Sequence, residues 1–196
     1  MINFSLAVFF LIITPGPGVL SVAGVGSAYD YKTGFRYILG LFVGTNLVAL
    51  AVVSGLAAIL LASPVLRAVL MFLSTFYLLF LAYKIATAGS DVSFSKSKTK
   101  PGLIAGILLQ LINPKAYAVN TAMYTGFLIY PDSFALEVSV KFLIMNLIWF
   151  PIHVFWLYLG VSLKKLKLSQ GLQSKINILM AFALVSVVCL ALISSF

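Results

Sequence analysis

The chain runs in long stretches that carry no charged residue, and nothing else about it restricts the fold so strongly. The first stretch extends from Ile2 to Ala28 and meets no charge before Asp30. A second lies between Arg36 and Arg67, and a third, shorter one between Arg67 and Lys84. Thr87 to Lys100 is polar, rich in Ser and Lys, and is the one true linker. Beyond it a fourth stretch spans Pro101 to Pro131, broken once by Lys115; a fifth runs from Phe142 to Leu163 and a sixth from Ile176 to Phe196. A helix that crosses the hydrocarbon of a bilayer needs about 20 apolar residues. The stretches therefore predict an all-α integral membrane protein of about six transmembrane helices, the third being the least clear.

Composition excludes a water-soluble alternative. Only 9% of the 196 residues are charged and 62% are hydrophobic, against about 25% charge in soluble domains. So few charges cannot cover a water-facing surface, and the lipid bilayer must solvate most of the exterior. The first stretch is read as a retained helix, because no basic residue precedes it as a cleavable signal requires. The net charge of +9 does not indicate nucleic acid. The basic residues form short clusters between apolar runs, with no aromatic-interleaved basic face. One cysteine, Cys189, and one histidine, His153, support neither an intramolecular disulfide nor a metal cage.

Those basic clusters fix an expected orientation. Lys32 and Arg36 follow the first helix; Lys84, Lys96, Lys98 and Lys100 flank or occupy the linker; Lys164, Lys165, Lys167 and Lys175 follow the fifth helix. The two remaining loops offer Arg67 and Lys141, the latter beside Asp132 and Glu137. Positive charge marks the cytoplasmic side, so both termini are expected on the opposite side of the membrane. Three helices then precede the linker and three follow it in the opposite sense. The expectation is one transporter domain over residues 1–196, with half-repeats of about 1–86 and 101–196 and a cytoplasmic linker at 87–100. Such inverted repeats are a common plan among secondary transporters.

Both halves carry a proline break. Thr14, Pro15, Gly16, Pro17 and Gly18 interrupt the first helix, and Asn113, Pro114 and Lys115 the fourth. Proline lacks the backbone donor and clashes with the carbonyl four residues earlier. Carbonyls freed in hydrocarbon must then find water, side chains or a ligand. Packing alone explains a single proline kink. Matched breaks in two halves instead point to a binding site at the membrane midplane.

Lys115 lies roughly midway along the fourth run, too deep for easy snorkelling, where a charge costs at least about 2.5 kcal/mol. No carboxylate occurs inside a predicted span, since Asp30, Asp91, Asp132 and Glu137 fall in loops or at helix ends. Lys115 must therefore bond to backbone carbonyls, lose its proton, or meet an anionic group of a substrate. Further polar residues suit a lined pathway: Gln110, Asn120 and Tyr124 in the fourth helix, Asn46 in the second, and Asn146 and His153 in the fifth. His153 is either a hydrogen-bonded packing residue or a proton carrier. Gly40 with Gly44, and Gly102 with Gly106, stand one turn apart and are read as close-packing positions.

In this order and spacing the motifs resemble the lysine-exporter family, in particular its homoserine/threonine-resistance branch. The likeness rests on Thr14-Pro15-Gly16-Pro17, Gly34, Gly40 and Gly44. It continues through Gly55-Leu56-Ala57, Ser63-Pro64, the stretch from Tyr77 to Tyr83, and Asn113-Pro114-Lys115-Ala116. It implies export of amino acids or close derivatives from the cytoplasm across a bacterial inner membrane, with the termini then periplasmic, driven by the proton gradient, and it allows a homodimer; no cofactor is expected. Two departures stand out: Gly18 and Val48 occupy places where the family usually has aspartate and often histidine. Without that aspartate, neutral or anionic amino acids fit better than cationic ones.

Other functions find less support. No phosphate-binding Gly-rich loop is present. A nucleophile, base and orienting group cannot be assembled from one His, one Cys and no interior acid, so the chain is not read as an enzyme. A metal transporter would want an acidic or sulfur cluster. A non-transporting membrane subunit would tolerate replacement of Lys115.

Overall fold

The computed structural model describes residues 1–87, 100–165 and 170–193. Nearly all of the linker expected at 87–100, with Lys96 and Lys98, and also Lys167, lies outside the described residues. Among those described there are nine helices and no strand: α1 (Ile2–Ile13), α2 (Pro17–Ala28), α3 (Tyr31–Val53), α4 (Leu56–Ala62), α5 (Pro64–Ala86), α6 (Leu103–Ile112), α7 (Pro114–Thr125), α8 (Phe134–Lys165) and α9 (Gln170–Ile193).

Their ends follow from local chemistry. Proline occupies the first turn of α2, α5 and α7, where its missing donor costs nothing. Ser63 and Asn113 cap the last two of these by accepting from the backbone N–H of Leu66 and Lys115. Asp30 caps α3 through Thr33 N–H at 2.7 Å. Gly55, at φ 78°, takes the left-handed turn between α3 and α4, a conformation that favours glycine.

The six apolar runs reappear as nine segments. Among the described residues, three helices are long and apolar enough to cross a membrane: α3, the Pro64–Tyr83 part of α5, and the Phe134–Leu163 part of α8. The pair α1 and α2, bent by 50° at the Pro15–Pro17 break, is long and apolar enough only when taken together, the geometry of a broken span or a re-entrant loop. The fourth run is divided at Asn113 into α6 and α7, of 10 and 12 residues, and ends at Thr125. The sixth is α9, with a shorter apolar stretch at Ser174–Ala183. Sequence reading counted apolar runs, and interruption by proline or glycine makes the segments more numerous and shorter than the runs.

The charges also sit differently from the expected loops. Lys32 and Arg36 lie in the opening turns of α3, Arg67 in the first turn of α5, and Lys164 and Lys165 at the end of α8. Lys141 is no loop residue at all. It is fully buried in α8, 2.6 Å from Glu137 one turn earlier, and donates to the carbonyls of Tyr124 and Phe127. Glu137 in turn accepts from the N–H groups of Ile129 and Tyr130. A buried cation must be paired, and here the pair ties the α7–α8 connection onto α8.

The helices close on one another through glycine. A Cβ on Gly40 would stand 1.9 Å from the Leu103 carbonyl oxygen, and one on Gly106 2.4 Å from that of Tyr37, so α3 and α6 pack backbone to backbone. Gly44 meets Ile107 on the same seam. Between α2 and α8, a Cβ on Gly160 would lie 2.1 Å from the Ala23 carbonyl oxygen. Gly102 departs from the packing expected of it, because it caps α6 and a Cβ there meets nothing within 4 Å. The α3–α6 and α2–α8 seams are extensive, whereas α1 on α8 and α7 on α3 touch lightly.

Candidate functional site

The bend between α1 and α2 leaves backbone groups without helical partners. Pro15 and Pro17 supply no N–H to the carbonyls of Leu11 and Ile13, four residues before them. Thr14 N–H and its hydroxyl both bond back to the Phe10 carbonyl, which leaves the Thr14 carbonyl pointing off the helix. Lys115 meets it there: its ammonium donates to the Thr14 oxygen at 3.0 Å. Of the three fates open to Lys115 in the sequence, bonding to a backbone carbonyl is the one seen. Gly16 makes the approach possible, since a Cβ at that position would stand 2.8 Å from Lys115 Nζ.

The second break is arranged so that Lys115 faces the first. Asn113 accepts from Lys115 N–H through Oδ1 at 3.1 Å and donates through Nδ2 to Gln110 Oε1 at 2.9 Å. The carbonyl of Leu111 accepts from the Tyr117 hydroxyl at 2.9 Å. The N-termini of α2 and α7 thus lie at the two breaks together with an ammonium group. Helix N-termini and lysine both favour a negatively charged ligand group.

A cavity of about 60 Å³ opens between the breaks, room for a few waters. Its polar wall comprises Thr14, Gly16, Gly18, Thr45, Gln110, Asn113, Lys115, Asn120 and His153. The apolar wall is built from Leu11, Ile12, Val19, Ala116, Val119, Met145 and Trp149. A smaller cavity of about 20 Å³ adjoins it, sharing Ile12, Thr45, Asn120, Met145 and Trp149 and adding Asn46, Tyr124 and Asn146. Among the described residues no carboxylate lines either cavity.

Most residues expected at the site therefore surround two adjoining cavities, with three exceptions. Pro15 and Pro114 are exposed and Pro17 is buried, but none of them lines a cavity. Their effect is to shape the backbone. Asn46 and Asn146 bond to each other at 2.9 Å. Each also donates to the carbonyl four residues earlier, of Phe42 and Phe142 respectively. Phe-x-x-x-Asn thus occurs in α3 and again in α8, 100 residues later, and the two copies touch.

His153 is buried and stacks on Trp149 with ring centroids 3.5 Å apart. Its Nδ1 is 2.9 Å from the Trp149 carbonyl oxygen. Thr45, Met145 and Trp149 were not anticipated as lining residues. The only signal for them was helical periodicity, since each stands one position from Asn46 or Asn146 or one turn from His153.

A model of the LysE type translocator family matches residues 9–195. The chain belongs to this family. It is similar to leucine efflux proteins: that of Enterobacter sp. (strain 638) is 27% identical over 151 residues, 73% of this chain and 69% of the relative. The leucine efflux protein of Klebsiella pneumoniae is 26% identical over 151 residues, covering 74% and 70%. That of Salmonella typhimurium is 29% identical over 148 residues, covering 73% and 68%. No solved structure matches the chain. As a LysE-type translocator with apolar helices of membrane-spanning length, the chain is an integral membrane amino-acid exporter.

Proposed function

We propose that this LysE-type translocator exports neutral, aliphatic amino acids of the leucine kind, and that it binds them at the cavity between its two helix breaks. The observation that carries the reading is Lys115: an ammonium group at the junction of two broken helices, with two helix N-termini beside it and no carboxylate in the lining. An α-carboxylate fits that field. A cationic side chain would find no carboxylate there, and the aliphatic wall with Trp149 suits an apolar one. The similarity to leucine efflux proteins points the same way. At about 60 Å³ the cavity must widen to admit such a molecule.

The reading extends to a bacterial inner membrane, both termini periplasmic, an inverted repeat, and coupling to the proton gradient without an enzymatic step. The repeated Phe-x-x-x-Asn pair, the matched breaks and the cross-bonded Asn46 and Asn146 support the repeat. Besides tyrosines, the titratable groups at the cavities are Lys115 from α7 and His153 from α8. A homodimer belongs to the same proposal, although the cavity forms within one chain.

Efflux from preloaded proteoliposomes over a panel of neutral, acidic and basic amino acids, with and without a pH gradient, tests the reading. Neutral aliphatic members should leave fastest, and faster against an inward proton gradient. Flux of basic members alone, or of none, contradicts it; flux indifferent to the gradient removes the proton coupling.

A further inference from the structure

The exporter reading assigns the carboxylate end of a substrate and leaves its ammonium group without a partner. We infer that His153, uncovered by the bare backbone of Gly18, is the acceptor for the substrate ammonium, so that Lys115 and His153 grip the two ends of one zwitterion. The inference rests on the export reading and deepens it.

The orientation of the imidazole decides its chemistry. A carbonyl oxygen only accepts, so the bond to Trp149 O places the proton on Nδ1 and, in the neutral ring, leaves the lone pair on Nε2. Stacking on Trp149 holds the ring in that orientation. Nε2 is then turned toward α2 and the cavity wall, where a Cβ placed on Gly18 would stand 3.3 Å away. Any side chain at position 18 would occupy the space in front of Nε2.

Gly16, which makes room for Lys115 Nζ, and Gly18, which makes room for His153 Nε2, are two residues apart on one strand of backbone. Two residues span at most roughly 7 Å, so the two glycines open onto neighbouring parts of one wall, and Lys115 and His153 both line the single cavity in front of them. An acceptor facing a cavity that holds no carboxylate fits a donor ligand, and His153 is only 3% exposed. A buried polar group of this kind discriminates strongly against an analogue that lacks its partner.

Equilibrium binding to the purified full-length protein in detergent tests this, with leucine and with 4-methylpentanoate, which keeps the carboxylate and side chain but has no ammonium. The unaltered protein should prefer leucine by about tenfold or more. His153→Asn, whose amide reaches only the Nδ1 position, should bind leucine about tenfold more weakly and 4-methylpentanoate as before, so that the preference disappears. His153→Gln, whose amide oxygen comes near the place of Nε2, should keep the preference. Gly18→Ala, which crowds Nε2 without touching the ring, should weaken leucine selectively, and it carries the test if His153→Asn does not fold. Equal weakening of both ligands in His153→Asn, or an unchanged preference in both His153→Asn and Gly18→Ala, overturns the inference. Absence of leucine binding by the unaltered protein instead strikes the export reading itself.

Discussion

At the scale of single residues, Lys115 and Asp30 show how a charge is kept in an apolar chain. Lys115 is held by the Thr14 carbonyl that the first break frees. Asp30 accepts from Thr33 N–H, caps α3 and pairs with Lys100 at 2.9 Å. Thr33 N–H and then Lys100 hold the Asp30 carboxyl down at about 2, below the usual carboxylate value of 3.8. A depressed carboxyl contributes stability that is present above its unfolded value and lost as pH falls through the folded one. The Asp30 contribution should therefore be whole above about pH 4 and fade toward pH 2. Side-chain exposures of 59% for Lys100 and 45% for Asp30 leave the ion pair worth little, so the cap dominates. Asp30→Asn retains a capping oxygen and should cost a few tenths of a kcal/mol, whereas Asp30→Ala should cost about 1 kcal/mol. Thermal unfolding of both variants in detergent at pH 7 and near pH 2 checks this, with the difference from the unaltered protein shrinking at the lower pH.

At the scale of elements, glycines decide which helices touch. Gly40→Ala would drive a methyl group into the Leu103 carbonyl and Gly160→Ala one into that of Ala23. Each should destabilise the protein by about 1–3 kcal/mol through overpacking. Gly171→Ala, where a Cβ meets nothing within 4 Å, should be neutral or slightly favourable in helix α9. Unfolding midpoints of the three variants in one detergent separate seam glycines from spare ones. The Gly40–Gly44 spacing announced its seam in the sequence, as did Gly106, while Gly102 had the same spacing and turned out to be a cap. Spacing reports which face two small residues share, and not whether a partner helix lies on that face. The breaks were legible because proline acts on its own backbone. Lys141 was misread as a loop residue because its partners, the Tyr124 and Phe127 carbonyls and Glu137, are brought to it by the fold.

At the scale of the molecule, the two ends are unequal. The α3–α6 and α2–α8 seams, closed by glycine, lie toward the end that holds Asp30 and Lys100. At the other end the contacts of α1 and α7 with their neighbours are light, and Tyr130 O–H meets Met1 Sδ at 3.9 Å. The all-α membrane class was legible from charge-free runs alone, and the pairing of Lys115 with the first break was not, because it joins residues 101 positions apart. If alternating access opens the tight end, an Asp30→Cys/Lys100→Cys double variant should lose most export when oxidised and regain it on reduction, read as amino-acid efflux from cells. The central claim, that amino acids are recognised at the paired breaks through Lys115, is tested most directly by leucine efflux from preloaded proteoliposomes carrying Lys115→Ala, scaled to the amount of folded protein. Loss of a charge-assisted hydrogen bond predicts a fall of roughly tenfold to a hundredfold. Leucine efflux from that variant equal to the unaltered protein's would contradict it.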